Sequence, residues 1–211
     1  VGNINLIGIM LLRLPLMLIY ARLLLGLFML GICQLSPTPA VRGLAVALVG
    51  VGLLTDIFDG IVARRLGVAT HQLRRLDSGV DTVFWLCVAG GAICLWPRFL
   101  PENALAVGVV LWLEALAYVV SYLKFRKEVA LHTLGAKLWA LLLAAFLVQL
   151  LLTGQAGGLF AVCVAVGVIS RLEMVAILCV LRTWTADVPS LYQALQIRRG
   201  KAIWRHRYFN G

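Results

Sequence analysis

Apolar residues run along the chain in six long blocks, at about 15–35, 40–63, 80–97, 103–123, 133–153 and 157–181, and polar residues gather in the links between them. A helix needs about 20 apolar residues to cross the hydrocarbon of a bilayer, so each block predicts a membrane-spanning helix. The stretch from Asn3 to Arg13, ahead of the first block, reads as an amphipathic lead-in expected to rest at the interface. Three of the links are short and rich in turn formers: Leu35-Ser36-Pro37-Thr38-Pro39, Trp96-Pro97-Arg98-Phe99-Leu100-Pro101 and Thr153-Gly154-Gln155-Ala156-Gly157-Gly158. No repeat, low-complexity tract or second domain interrupts the pattern. The expected fold is all-α and integral to the membrane, a six-helix bundle with an N-terminal interfacial helix, forming one domain over 1–211 with a basic tail at 183–211.

Composition agrees with this pattern. Hydrophobic residues make up 62% of the 211 positions and charged residues only 13%, about half the share typical of a soluble domain. The 19 Lys+Arg against 9 Asp+Glu would suit nucleic acid in a polar chain. In one so apolar they read as positive-inside bias and attraction to anionic headgroups, and no nucleic-acid partner is expected. Arg64, Arg65, Arg74 and Arg75 follow the second block, Lys124, Arg126 and Lys127 the fourth, and Arg198, Arg199, Lys201, Arg205 and Arg207 the sixth. The alternate turns hold only Arg42 and Arg98. Both termini and the basic turns therefore fall on one side, expected to be cytoplasmic. Cys33, Cys87, Cys94, Cys163 and Cys179 are odd in number and scattered through apolar blocks, which suggests small apolar side chains rather than disulfides or metal ligands. The chain opens on Val1 rather than Met, so a trimmed N-terminal piece is expected. The first apolar run lacks a small-residue cleavage site, so no cleavable signal peptide is expected.

Four of the nine acidic residues fall in one short stretch. Asp56 and Asp59 are three apart on the second block, and Asp77 and Asp81 are four apart at the start of the third, so each pair shares a helix face. A carboxylate inside a membrane helix costs about 3 kcal/mol at the centre and less near the interface. Four together repel one another as well. Two divalent cations would match their charge, and all-oxygen ligation suits Mg²⁺ or Mn²⁺, which take substrate phosphates as further ligands. Such a pair holds a pyrophosphate and activates its phosphorus toward in-line attack. The alternative is structural pairing of the four acids with Arg64, Arg65, Arg74 and Arg75.

The stretch resembles the signature of the CDP-alcohol phosphotransferases (CDP-alcohol phosphatidyltransferases), Asp-x-x-Asp-Gly-x-x-Ala-Arg followed at fixed spacing by Gly, Asp and Asp. Asp56, Asp59, Gly60, Ala63, Arg64, Asp77 and Asp81 stand in register over 56–81, and Leu73 replaces the second glycine. The resemblance implies a transferase of phospholipid synthesis that moves a phosphatidyl group from CDP-diacylglycerol to a polar alcohol and releases CMP. It implies Asp56, Asp59, Asp77 and Asp81 as ligands of two Mg²⁺ or Mn²⁺ ions, and Asp81 as the base that takes the acceptor's proton. Asp56, Asp59, Gly60, Ala63, Arg64 and Asp77 are implied to bind the CDP moiety. Gly60 and Ala63 would equally serve helix packing. Leu73 adds bulk near the nucleotide pocket or turn, yet every carboxylate is present, which favours an active enzyme.

The later spans carry Glu114, Lys137, Arg171, Glu173 and Arg182. Lys137 and Arg171 would bind a phosphate on the acceptor; Glu114 or Glu173 would instead face an amine. Internal pairing, Glu173 with Lys137 for instance, stands open beside both. Expected partners are the CDP-linked lipid donor, the polar alcohol and membrane lipids, and the glycine-bearing faces at Gly90 and Gly91 would equally support a homodimer. Three rival readings remain. A soluble CDP-alcohol donating its head group to diacylglycerol uses the same signature. A prenyltransferase uses two widely separated Asp motifs, unlike these. A non-enzymatic cation transporter would need an acidic relay that spans four to six do not supply.

Overall fold

The computed structural model describes residues 6–65, 70–127, 129, 131, 133–185 and 188–200, with the side chains at 6–13, 59, 60, 63–65, 71, 74 and 75 outside that description. Among the described residues the regular structure is entirely helical: α1 (Leu6–Ile32), α2 (Pro39–Arg65), α3 (His71–Leu95), α4 (Phe99–Glu102), α5 (Ala104–Phe125), α6 (Leu134–Thr153), α7 (Gly157–Val180) and α8 (Leu191–Arg198). Among the described residues six segments are long and apolar enough to cross a bilayer: Leu14–Ile32, Pro39–Phe58, Leu76–Leu95, Ala104–Phe125, Leu134–Thr153 and Gly157–Val180. They match the six apolar blocks, and the chain is an integral membrane protein. The amphipathic lead-in expected at 3–13 rests on side chains outside the described residues. Residues 1–5 lie outside the description, and from Leu6 one helix continues to Ile32.

Helix starts follow from hydroxyl caps. Thr38, Thr70, Thr133 and Ser190 each accept a hydrogen bond from the backbone N–H three residues on, at Val41, Leu73, Ala136 and Gln193. Each satisfies one of the N–H groups that a helix leaves without an internal partner. Pro39 then occupies the first position of α2, where its missing N–H costs nothing. At the far end of α5, Arg126 adopts a left-handed conformation (φ 55°) and its N–H caps the Tyr122 carbonyl.

By its internal contacts the chain divides into two compact units, one of residues 1–99 and 147–155, the other of 100–146 and 156–211. In the first, α1 packs along both α2 and α3. The end of α6 is held there by Arg42, which donates to the Leu152 carbonyl at 2.8 Å, and by Trp96, whose indole N–H reaches the Leu151 carbonyl at 3.4 Å. Gly154 is required at the turn that follows. Its φ is +70°, and a side chain there would start 2.5 Å from the Trp96 ring.

In the second unit α5 packs on α7, and α8 docks against α7. Ala117, Leu131, Met174, Ile177, Leu178, Leu181, Val188 and Ala194 form its apolar core. Lys124 donates to the carbonyls of Leu178 and Cys179 at 2.9 and 2.7 Å, satisfying acceptors that the end of α7 would otherwise leave open. Glu173 accepts from the N–H of Leu191 at 3.2 Å and so helps fix the start of α8. The basic positions Lys201, Arg205 and Arg207 lie outside the described residues.

Candidate functional site

The site begins with an aromatic wedge. Phe84 of α3 is buried, with its ring against Gly52 of α2 and Gly26 of α1. A methyl group at Gly52 would stand 2.2 Å from the Phe84 ring and one at Gly26 would stand 3.2 Å from it, so the missing side chains let three helices close on one ring. One helical turn from each of these positions, towards the same end of the unit, come Arg22, Asp56 and Asp81. The apolar packing of Gly26, Gly52 and Phe84 thus sets the spacing of the polar groups beyond it.

Those groups converge. Asp56 on α2 and Asp77 and Asp81 on α3 each offer a carboxylate oxygen, and the three oxygens lie within 4.8 Å of one another. Arg22, only 1% exposed, reaches into them from α1. Its Nη1 lies 3.0 Å from Asp56 Oδ1 and 3.0 Å from Asp77 Oδ1, and it also donates to Asp81 Oδ1. Among the described residues one guanidinium stands against three carboxylates, an excess of acid. Hard oxygen donors with residual negative charge, about a third exposed or more, fit Mg²⁺ or Mn²⁺ and suit neither thiophilic nor imidazole-loving metals.

Of the other signature positions, Asp59, Gly60, Ala63 and Arg64 lie on helix α2, but their side chains fall outside the described residues. The alternative pairing of the acids with Arg64, Arg65, Arg74 and Arg75 falls outside them too. Among the described residues, the cation beside Asp56, Asp77 and Asp81 is Arg22. Leu73 is half-buried in the first turn of α3, its N–H held at 3.2 Å by the Thr70 hydroxyl. That turn is regular helix, a conformation leucine adopts more readily than glycine, so the substitution does not disturb the turn.

The two candidate acceptor residues belong to the second unit. Lys137 is on α6 with an exposed side chain. Arg171 on α7 is buried, pairs through Nε with Glu114 of α5 at 2.7 Å, and lies 3.6 Å over the Trp139 ring. Gly167, one turn earlier, leaves the space that the Trp139 indole fills. Internal pairing is thus present in this unit between Arg171 and Glu114. Gly90 and Gly91 are packed within the chain: side chains there would meet Leu30, and Met29 with Cys33, at the end of α1 and just beyond it. The cysteines are free, with Cys33, Cys87 and Cys163 buried and Cys94 and Cys179 exposed.

Arg22 is the site residue that sequence reasoning missed. The signal was available, because an arginine inside an apolar span is costly unless it has a partner.

Neither a search of curated proteins nor a search of solved structures returned a significant match. A family model, CDP-alcohol phosphatidyltransferase, matches residues 12–170. That match takes in α1 with Arg22, the acidic ends of α2 and α3, and most of the later spans. With six apolar spans and a carboxylate group suited to a divalent metal, the chain belongs to the CDP-alcohol phosphatidyltransferase family.

Proposed function

We propose that the protein transfers a phosphatidyl group from CDP-diacylglycerol to a polar alcohol and releases CMP. The observation that carries this reading is the meeting of Asp56, Asp77 and Asp81, three carboxylate oxygens within 4.8 Å, in a membrane protein of this transferase family. Asp59 completes the four-carboxylate set by the signature. A pair of Mg²⁺ or Mn²⁺ ions bound by these four residues supplies neutralisation of the diphosphate charge and polarisation of its phosphorus. Gly60, Ala63 and Arg64, on the same helix, border the CDP moiety in this reading.

Asp81 is the base. Its carboxylate takes the proton of the acceptor hydroxyl as the oxygen attacks the β-phosphorus of the donor. The new oxygen–phosphorus bond forms as the bond from that phosphorus to the bridging oxygen breaks, and CMP leaves with the electron pair. The carboxylate then gives up its proton to solvent. The site and both termini face the cytoplasm in this reading, the side on which the basic links and tail concentrate.

The test is product formation by purified protein in detergent, with CDP-diacylglycerol, Mg²⁺ and one acceptor at a time: glycerol 3-phosphate, inositol phosphate, inositol, serine or choline. A new phospholipid whose mass equals phosphatidate plus one acceptor, less water, is the expected result and names the alcohol. No product from any acceptor, with product instead from a soluble CDP-alcohol and diacylglycerol, would reverse the donor assignment.

A further inference from the structure

Arg22 stands among the carboxylates that would hold a bound cation. Its Nη1 contacts Oδ1 of Asp56, Asp77 and Asp81, and one oxygen from each of the same three residues is what the group offers to an ion. A nitrogen and a metal ion cannot both hold the point these oxygens share. The guanidinium keeps its charge at every accessible pH, so it cannot give way by losing a proton. It gives way only by moving. Arg22 also lies within the apolar segment Leu14–Ile32 and is 1% exposed, so its charge needs compensation, and these carboxylates supply it. The dependence runs both ways, since without Arg22 the carboxylates face one another with no described cation between them.

We propose that Arg22 is a competing internal counter-ion of the acidic group. It holds the three carboxylates together when no divalent cation is bound, and its Nη1 must withdraw from them as they take one up, so that it sets the affinity for metal. This rests on the reading of the group as a divalent-metal site. Arg22 is then a positioning residue, acting on the carboxylates rather than on the substrate. It makes metal uptake an exchange of one cation for another rather than the filling of a preformed anionic cage.

The test is a titration of purified protein in detergent with Mn²⁺ alone, reading free Mn²⁺ by its electron paramagnetic resonance signal, alongside thermal unfolding in EDTA and in saturating Mg²⁺. Removing a unit charge about 4 Å from the ion is expected to tighten Mn²⁺ binding by about tenfold or more in Arg22→Gln. The same variant should unfold at a lower temperature than wild type in EDTA and recover most of the difference in Mg²⁺. Unchanged or weaker Mn²⁺ binding would overturn the proposal, because a merely structural arginine leaves that affinity alone or lowers it. Should Arg22→Gln fail to fold, Arg22→Met, unbranched and apolar, removes the same charge. Its Mn²⁺ binding should likewise be tighter than wild type, and equality would overturn the proposal. Absence of Mn²⁺ binding by the wild type would instead sink the metal reading beneath it, which keeps the two failures apart.

Discussion

Arg22 and Asp81 divide the work at the residue scale. Asp81 carries the chemistry in the proposed reaction, so Asp81→Asn, which keeps the shape and loses the base, is expected to cut turnover by at least about 100-fold. Its thermal stability should stay near that of wild type, since Arg22 retains Asp56 and Asp77 as partners. A large fall in unfolding temperature with activity retained would mean that Asp81 is structural. Leu73 supplies a second residue-scale prediction. The Thr70 cap and helical backbone make leucine the better residue there, so Leu73→Gly should lower stability by about 1 kcal/mol in thermal or denaturant unfolding. A gain in stability would mean that the leucine strains the turn. The acids were legible in the sequence because spacing of three and four residues on a helix needs no knowledge of the rest of the fold. Arg22 was not read because its partners lie 34, 55 and 59 residues away and are fixed only by how α1 packs on α2 and α3.

At the scale of elements, one ring and two glycines govern the site. Gly52→Ala would drive a methyl group into the Phe84 ring, and the helices must part or the ring must turn. Overpacking of this kind costs about 1–3 kcal/mol, and it should reduce activity although no atom of the chemistry is changed. Combining it with Phe84→Leu should restore part of both losses, measured by unfolding temperature and turnover in the single and double variants. Strict additivity of the two substitutions would contradict a direct contact. Span positions were readable because an apolar block long enough to cross a bilayer needs no tertiary context. The start of α3 was not. The sequence reading opened the third span at residue 80, whereas the helix begins at His71, because Gln72, Arg74, Arg75 and Asp77 make its first two turns polar. Thr70 was the available signal, a hydroxyl residue three places before a helical N–H. The pairing of Arg171 with Glu114, 57 residues apart, depends likewise on α5 packing against α7 and on the space left by Gly167.

For the molecule as a whole, six spans and the charge asymmetry of the links make topology testable. In a cysteine-free background, Gln72→Cys and Gln155→Cys both present exposed positions, near the start of α3 and in the α6–α7 turn. A membrane-impermeant maleimide applied to intact cells should label Gln155→Cys, and Gln72→Cys only after the membrane is opened; the reverse pattern would put the acidic group on the outer face. The central claim, that the carboxylates at the ends of α2 and α3 form the metal-dependent centre of a CMP-releasing transferase, is tested most directly by measuring CMP release from CDP-diacylglycerol. Wild type and Asp81→Asn would be compared over a series of Mg²⁺ concentrations in the presence of the pooled acceptors. Release that rises with Mg²⁺ in wild type, stops in EDTA and is absent from Asp81→Asn is the predicted result. Release that persists in EDTA, or equal release by Asp81→Asn, would contradict it.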